Sequence, residues 1–245
     1  MYRYIGVFVL FVVSLENIAA SEESCADEAN TPTGAWLQAQ HRGYELWKCV
    51  TSAKEAYYTC STNSWYPEKL QCGPKPGFKE SCLTAHNTFR NMHQDTPALT
   101  YSDDLAKSAK EWADHLTSIG KLQHSRRDSY GENIYWTSMS SKYDPCSSAV
   151  HAWYKEQDNY SYFTTKSKTS VDPIGHFTQV VWRDSREIGC GLSESTDGTY
   201  VVCRYSPQGN FVLRNSYEGF DEARRRVYGA NVLPLKPGAN IQDHF

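Results

Sequence analysis

The sequence has no large excess of charge of either sign: the formal net charge is -3 over 245 residues. That argues against nucleic acid as the main partner, because phosphate binding needs clustered positive charge. One basic run exists, Arg224 to Arg226, close behind Asp221 and Glu222. It reads first as a solvated surface face and second as a patch for an anionic ligand. No Cys-x-x-Cys pair, no His-Glu-x-x-His helix and no Gly-x-Ser-x-Gly elbow occurs. Their absence removes the usual signatures of dithiol redox chemistry, zinc peptidases and serine hydrolases. Long apolar runs are also lacking. The one that stands out, Ile5 to Leu15, is too short for a bilayer, which takes about 20 apolar residues. With Arg3 before it and small residues up to Ala20 after it, residues 1–20 read as a cleavable signal peptide. The terminus "KPGANIQDHF" has no hydrophobic tail of the kind a lipid anchor requires. The expected protein is secreted and extracellular, with no transmembrane segment.

Eight cysteines are present: Cys25, Cys49, Cys60, Cys72, Cys82, Cys146, Cys190 and Cys203. An even number after a signal peptide predicts disulfides rather than thiol chemistry or zinc clusters. Four fall before and four after "GPKPGFK", Gly73 to Lys79, a stiff Pro/Gly connector that predicts two modules. The expected boundaries are a small module over 24–73, a linker over 74–77, a larger domain over 78–238 and a tail over 239–245. The first module is too small for a large core and needs disulfide staples.

The larger domain opens with helical spacing. Cys82, Ala85, Phe89 and Met92 form one stripe, and Ser102 caps a second helix whose buried face is Leu105, Ala109, Trp112 and Leu116. A third helix is expected over Ser147 to Tyr160. After Gly175 the segments "FTQVVW", "EIGCGL" and "YVVCRY" read as strands, and "STDGT" supplies a hairpin turn between the last two. Cys190 and Cys203 flank that turn, so a bridge between them is geometrically easy. Helices followed by antiparallel strands predict an α+β domain.

The first module resembles a sushi (complement control) module. Aromatic-rich segments lead into Cys49 and Cys60, and Trp65 lies between Cys60 and Cys72. The resemblance implies a small all-β unit with Cys25 paired to Cys60 and Cys49 to Cys72, although the usual glycine-rich turn after the second cysteine is missing. Elimination then leaves Cys82 to pair with Cys146.

Residues from about Phe78 to Pro237 resemble the CAP superfamily of cysteine-rich secretory, antigen 5 and pathogenesis-related proteins. "GHFTQVVWRDS" (Gly175 to Ser185) and "YVVCRYSPQGNF" (Tyr200 to Phe211) fit its two signatures, and "HNTFR" (His86 to Arg90) and "GENI" (Gly131 to Ile134) its lesser motifs. The resemblance implies a three-layer α-β-α sandwich around an antiparallel sheet. It also implies a cleft holding His124, Glu132, Glu156 and His176. Such a cleft either binds zinc or another divalent cation weakly, or serves as a structural polar network. His86 and Asn87 are expected to pack and hydrogen-bond within the first helix.

Three functions are compatible with these residues. The leading one is recognition of an extracellular protein or glycan, assisted by the sushi-like module. A sterol or lipid carrier is the second, with Tyr160, Tyr162 and Phe163 as groove residues. A metal-assisted hydrolase is the third and is disfavoured, because no motif marks a nucleophile, so the protein is not expected to be an enzyme. The one sequon, "NYS" at Asn159, predicts a glycan.

Overall fold

A computed structural model describes residues 36–41, 44–50, 55–61, 64–66, 77–125, 129–138, 144–169 and 171–239. The signal peptide, linker residues 74–76 and the tail from 240 onward lie outside them, as do Cys25 and Cys72 and hence the two bridges assigned to the first module. In that module the backbone forms an antiparallel meander: β1 (Trp36–His41), β2 (Tyr44–Val50), β3 (Glu55–Ser61) and β4 (Ser64–Tyr66), paired in sequence order.

The larger domain begins with α1 (Phe78–Met92), whose predicted stripe of Cys82, Ala85, Phe89 and Met92 is buried. After β5 (Thr100–Tyr101) comes α2 (Asp103–Ile119). Ser102 accepts a hydrogen bond from the Leu105 N–H, two aspartates occupy the first turn, and Gly120 ends the helix with a left-handed φ of 60°. Each device supplies a partner or a favourable charge at a helix end. Of the expected buried face, Ala109 and Leu116 are fully buried, joined by Ala113, while Leu105 and Trp112 are half-buried. Next come β6 (Gly131–Thr137) and α3 (Pro145–Lys155), which the Asp144 side chain caps and a 3-10 turn, Glu156–Asn159, extends. Asp144 also accepts a short bond from Ser81, tying the start of α3 to α1.

A two-stranded ribbon follows, β7 (Tyr160–Ser161) with β8 (Lys166–Ser167). The segment "FTQVVW" is not a strand: Gly175–Val180 is a short helix, α4. Six residues are too few for their periodicity to separate a buried strand from a buried helix. Much of what favours the helix is outside the segment. The Glu156 carboxylate accepts the N–H groups of His176 and Phe177 in its first turn, and the Thr178 hydroxyl bonds the Ile174 and Gly175 carbonyls. The chain continues with β9 (Glu187–Ser195), β10 (Gly198–Ser206) and α5 (Phe220–Asn231).

The central sheet has the order β5-β9-β10-β6. It is mixed rather than purely antiparallel, because β5 runs parallel to β9. Alternation along β10 sorts its side chains to two cores. Val201, Cys203 and Tyr205 join α1, α3 and α4, while Tyr200 and Val202 join Ala109, Ala113 and Leu116 of α2. The result is the expected three-layer α-β-α arrangement. The close approach of α2 depends on two glycines of β9. A Cβ at Gly189 would stand 2.1 Å from the Ala106 nitrogen, and one at Gly191 would stand 2.1 Å from the Lys110 nitrogen.

Two disulfides are present among the described residues, Cys82–Cys146 and Cys190–Cys203. The second joins residues directly opposite in the β9–β10 register. The turn between these strands is Thr196-Asp197, and Gly198 opens β10 with φ 147°. No helix among the described residues is long and apolar enough to cross a membrane.

Candidate functional site

The four residues singled out by motif meet as two histidine–carboxylate pairs. In the first, His124 Nδ1 lies 3.0 Å from Glu132 Oε1. His124 stands in the loop after α2 with 64% of its side chain exposed, whereas Glu132 on β6 is 7% exposed. Glu132 also accepts from the Ser125 N–H and hydroxyl, and from Arg204 Nε and Nη2 at 3.3 and 3.2 Å. Burial opposes ionisation of Glu132, yet the bonds from His124 and Ser125 and the charge of Arg204 hold its carboxyl below the usual range. The His124 bond to Glu132 raises the imidazole in turn.

In the second pair, His176 Nδ1 lies 2.6 Å from Glu156 Oε1. The exposures are 32% for His176 and 11% for Glu156. Glu156 Oε2 accepts the His176 and Phe177 N–H groups. One carboxylate thus orients the imidazole and satisfies donors that the start of a helix leaves open. The Trp153 ring lies nearly parallel to that of His176, with centroids 6.2 Å apart.

Adjacent residues of β6 reach both pairs. Glu132 binds His124, and Asn133 donates Nδ2 to the His176 carbonyl at 3.1 Å and to the Tyr205 hydroxyl at 3.2 Å. Behind Asn133, Tyr205 meets His86 Nε2 at 2.8 Å, and His86 Nδ1 meets the Cys82 carbonyl at 2.7 Å. A carbonyl only accepts, so the His86 proton is on Nδ1 and Tyr205 donates to Nε2. Burial drives the His86 pKa down to about 3, which keeps the ring neutral. Asn87 brackets the Leu99 backbone with both amide atoms.

Motif matching did not name Ser125, Asn133, Arg204 or Tyr205. The sequence carries no signal for Arg204: the β6–β10 register places it opposite Glu132, with its guanidinium 4.2 Å over the Tyr130 ring. For Asn133 the only hint was its place beside Glu132.

Both oxygens of each carboxylate accept hydrogen bonds, and each carboxylate orients the ring beside it. Each histidine has Nδ1 engaged, which in the neutral ring puts the lone pair on Nε2. Imidazoles backed by carboxylates are donor types that zinc-type cations take. Among the described residues, the only group of three or more His, Cys, Asp or Glu ligand atoms lying within 4.8 Å of one another is the four disulfide sulfurs.

The other singled-out residues lie apart from these pairs. Asn159 is half-buried at the end of the 3-10 turn. Of the three groove aromatics, Tyr160 is buried in the main core and Tyr162 is half-buried against it; Phe163 alone is exposed. Within the basic run, Arg226 pairs with Glu218, and Arg224 stacks 4.0 Å over Tyr228 while bonding the Thr165 carbonyl.

A three-layer α+β domain with this pair of His–Glu contacts defines a class, and comparison with known proteins agrees with it. The model of the cysteine-rich secretory protein family, CAP, matches residues 83–205, and the chain belongs to that family. Golgi-associated plant pathogenesis-related protein 1 of Homo sapiens is 35% identical over 164 residues, 65% of this chain and 94% of that protein. Protein PRY2 of Saccharomyces cerevisiae is 40% identical over 140 residues, 55% of this chain but only 39% of that protein. Among solved structures, that of Na-ASP-1 aligns with a TM-score of 0.49 at 22% identity, over 63% of this chain and 47% of the other.

Proposed function

We propose that the protein is a secreted CAP-domain binding protein whose His124/His176 cleft takes zinc or a similar divalent cation weakly, and whose exposed surface recognises an extracellular protein or glycan. In this reading the N-terminal meander is an adhesion unit of the sushi type. The observation that carries it is the pairing of each imidazole Nδ1 with a carboxylate, His124 with Glu132 and His176 with Glu156. Such pairing fixes the tautomer, raises the basicity of Nε2 and is the usual arrangement behind metal-binding histidines. When bound, the cation would supply a positive centre with open positions for an acceptor group of the partner. The chain's own contribution is to hold both rings in place. Secretion is supported by the apolar leader, by two buried disulfides and by likeness to proteins such as the secreted protein RBT4 of Candida albicans.

Calorimetric titration of the protein lacking residues 1–20 with zinc at pH 7.5 and at pH 5.5 tests the cleft, with His124→Ala and His176→Ala beside it. Saturable binding that is lost in both variants and weakened at the lower pH supports the reading. Unchanged binding in the variants, or none in the parent, overturns it.

A further inference from the structure

The two disulfides of the larger domain are not separate staples. All four sulfurs, from Cys82, Cys146, Cys190 and Cys203, lie within 4.8 Å of one another and are buried. The topology explains the cluster. Cys190 and Cys203 are cross-strand neighbours on the sheet face that α1 and α3 cover, and Cys82 and Cys146 sit on those helices. Four elements therefore each deliver one sulfur to one point in the core. A zinc ion with four thiolates at about 2.3 Å needs sulfurs about 3.8 Å apart, the edge of the tetrahedron. No two of the sulfurs are more than about 1 Å beyond that edge, while the two bonded pairs are closer than it and have to separate once their bridges are open.

We infer that the reduced form of this domain holds a soft, tetrahedral divalent cation, zinc in the first instance, on Cys82, Cys146, Cys190 and Cys203. The two states exchange by balanced chemistry. Two equivalents of a dithiol reductant cleave both S–S bonds, delivering four electrons and four protons and ending as two cyclic disulfides. Binding of the cation then releases the four thiol protons. Oxidation on export, with two disulfide-class oxidants taking the four electrons, restores the bridges and expels the ion. The metal would thus keep four core thiols in register before the chain is oxidised. This site shares no residue with the His124/His176 cleft.

Cobalt(II) reports it, because thiolate ligands give an intense sulfur-to-metal charge-transfer absorption that imidazoles do not. The full chain with Cys25, Cys49, Cys60 and Cys72 replaced by serine is reduced with an excess of dithiol, freed of reductant without air and titrated with cobalt, then zinc. The expected result is one cobalt per chain with the visible bands of a tetrahedral four-thiolate site, displaced by zinc, and a thermal midpoint of the reduced protein raised by zinc. Adding Cys190→Ser and Cys203→Ser should remove both. Absence of the charge-transfer band, its persistence in that variant, or a reduced chain that stays unfolded with zinc present would overturn the inference.

Discussion

His176 and Glu156 form the tightest contact of the site: Nδ1 to Oε1 is 2.6 Å, and the same carboxylate caps the helix on which His176 stands. Imidazole orientation and helix α4 therefore depend on one side chain. Glu156→Gln keeps the size but removes the charge and offers a single acceptor for three donors. Zinc affinity should drop about 10 to 100-fold, and stability by about 1–2 kcal/mol through the weakened helix end. Zinc calorimetry and urea unfolding measure the two effects. Full affinity in Glu156→Gln would show that the carboxylate does not orient the ring.

The pH dependence of stability should reveal two buried neutral histidines. Burial lowers His86 to a pKa of about 3 and His93 to about 4, each against an ordinary value of 6.5. The unfolded chain therefore binds more protons than the native one below about pH 6.5, and stability falls with falling pH through that window. The loss continues to about pH 4 for His93 and about pH 3 for His86. Each shift is worth roughly 3 to 5 kcal/mol at most. Unfolding free energies from urea titrations between pH 7 and about 5.5, above the carboxylate range, should decline with a slope approaching two protons, and His93→Gln should halve it. A flat profile would mean that the rings are protonated when folded.

Much of the domain was legible in the sequence because its helices carry their own ends. Ser102 with Asp103 and Asp104 marks the start of α2, and the stripe Cys82, Ala85, Phe89, Met92 is buried as its spacing implied. The segment from Phe177 to Trp182 was not legible. It is only six residues long, with Thr178 and Gln179 among its apolar residues, and much of what makes part of it a helix is Glu156, twenty residues before His176. The site was legible as residues but not as contacts: motifs name His124 and Glu132, whereas the bond between them needs the loop after α2 to fold back onto β6. Asn133 and Arg204 became visible only once the strand register was known.

The glycines of β9 set the separation between two layers. In "EIGCGL" they alternate with Cys190, so that one face accepts α2 and the other carries the bridge. Gly191→Ala places a methyl against backbone atoms of Ala109 and Lys110, which cannot swing aside as a side chain would. Overpacking of this kind costs about 1–3 kcal/mol, and more where backbone must move. Gly77→Ala, where a Cβ meets nothing within 4 Å, is the control and should lie within about 0.5 kcal/mol of the parent. Thermal and urea unfolding of both variants settle the comparison. Equal midpoints would show that the layers slide apart freely.

Arg90 is the last residue of "HNTFR", and its guanidinium is fully buried. Its bonds run to the carbonyls of Pro97, Val180, Trp182 and Ser185, at 2.8 to 3.1 Å. Burial lowers its pKa to about 10, so it stays charged at neutral pH. Four backbone acceptors in place of a carboxylate spread the charge over peptide dipoles and fasten α1 to the segment that follows α4. Arg90→Met fills similar space yet leaves these acceptors without their donor. The expected loss is about 3 kcal/mol or more, from unsatisfied buried carbonyls. Arg90→Lys, with one compact ammonium for four divergent acceptors, should recover only part of it. Because Val180 closes α4, hydrogen exchange of the His176 to Val181 amides should quicken in Arg90→Met before global unfolding. Exchange unchanged there, with a stability loss under about 1 kcal/mol, would mean that packing alone holds the segment.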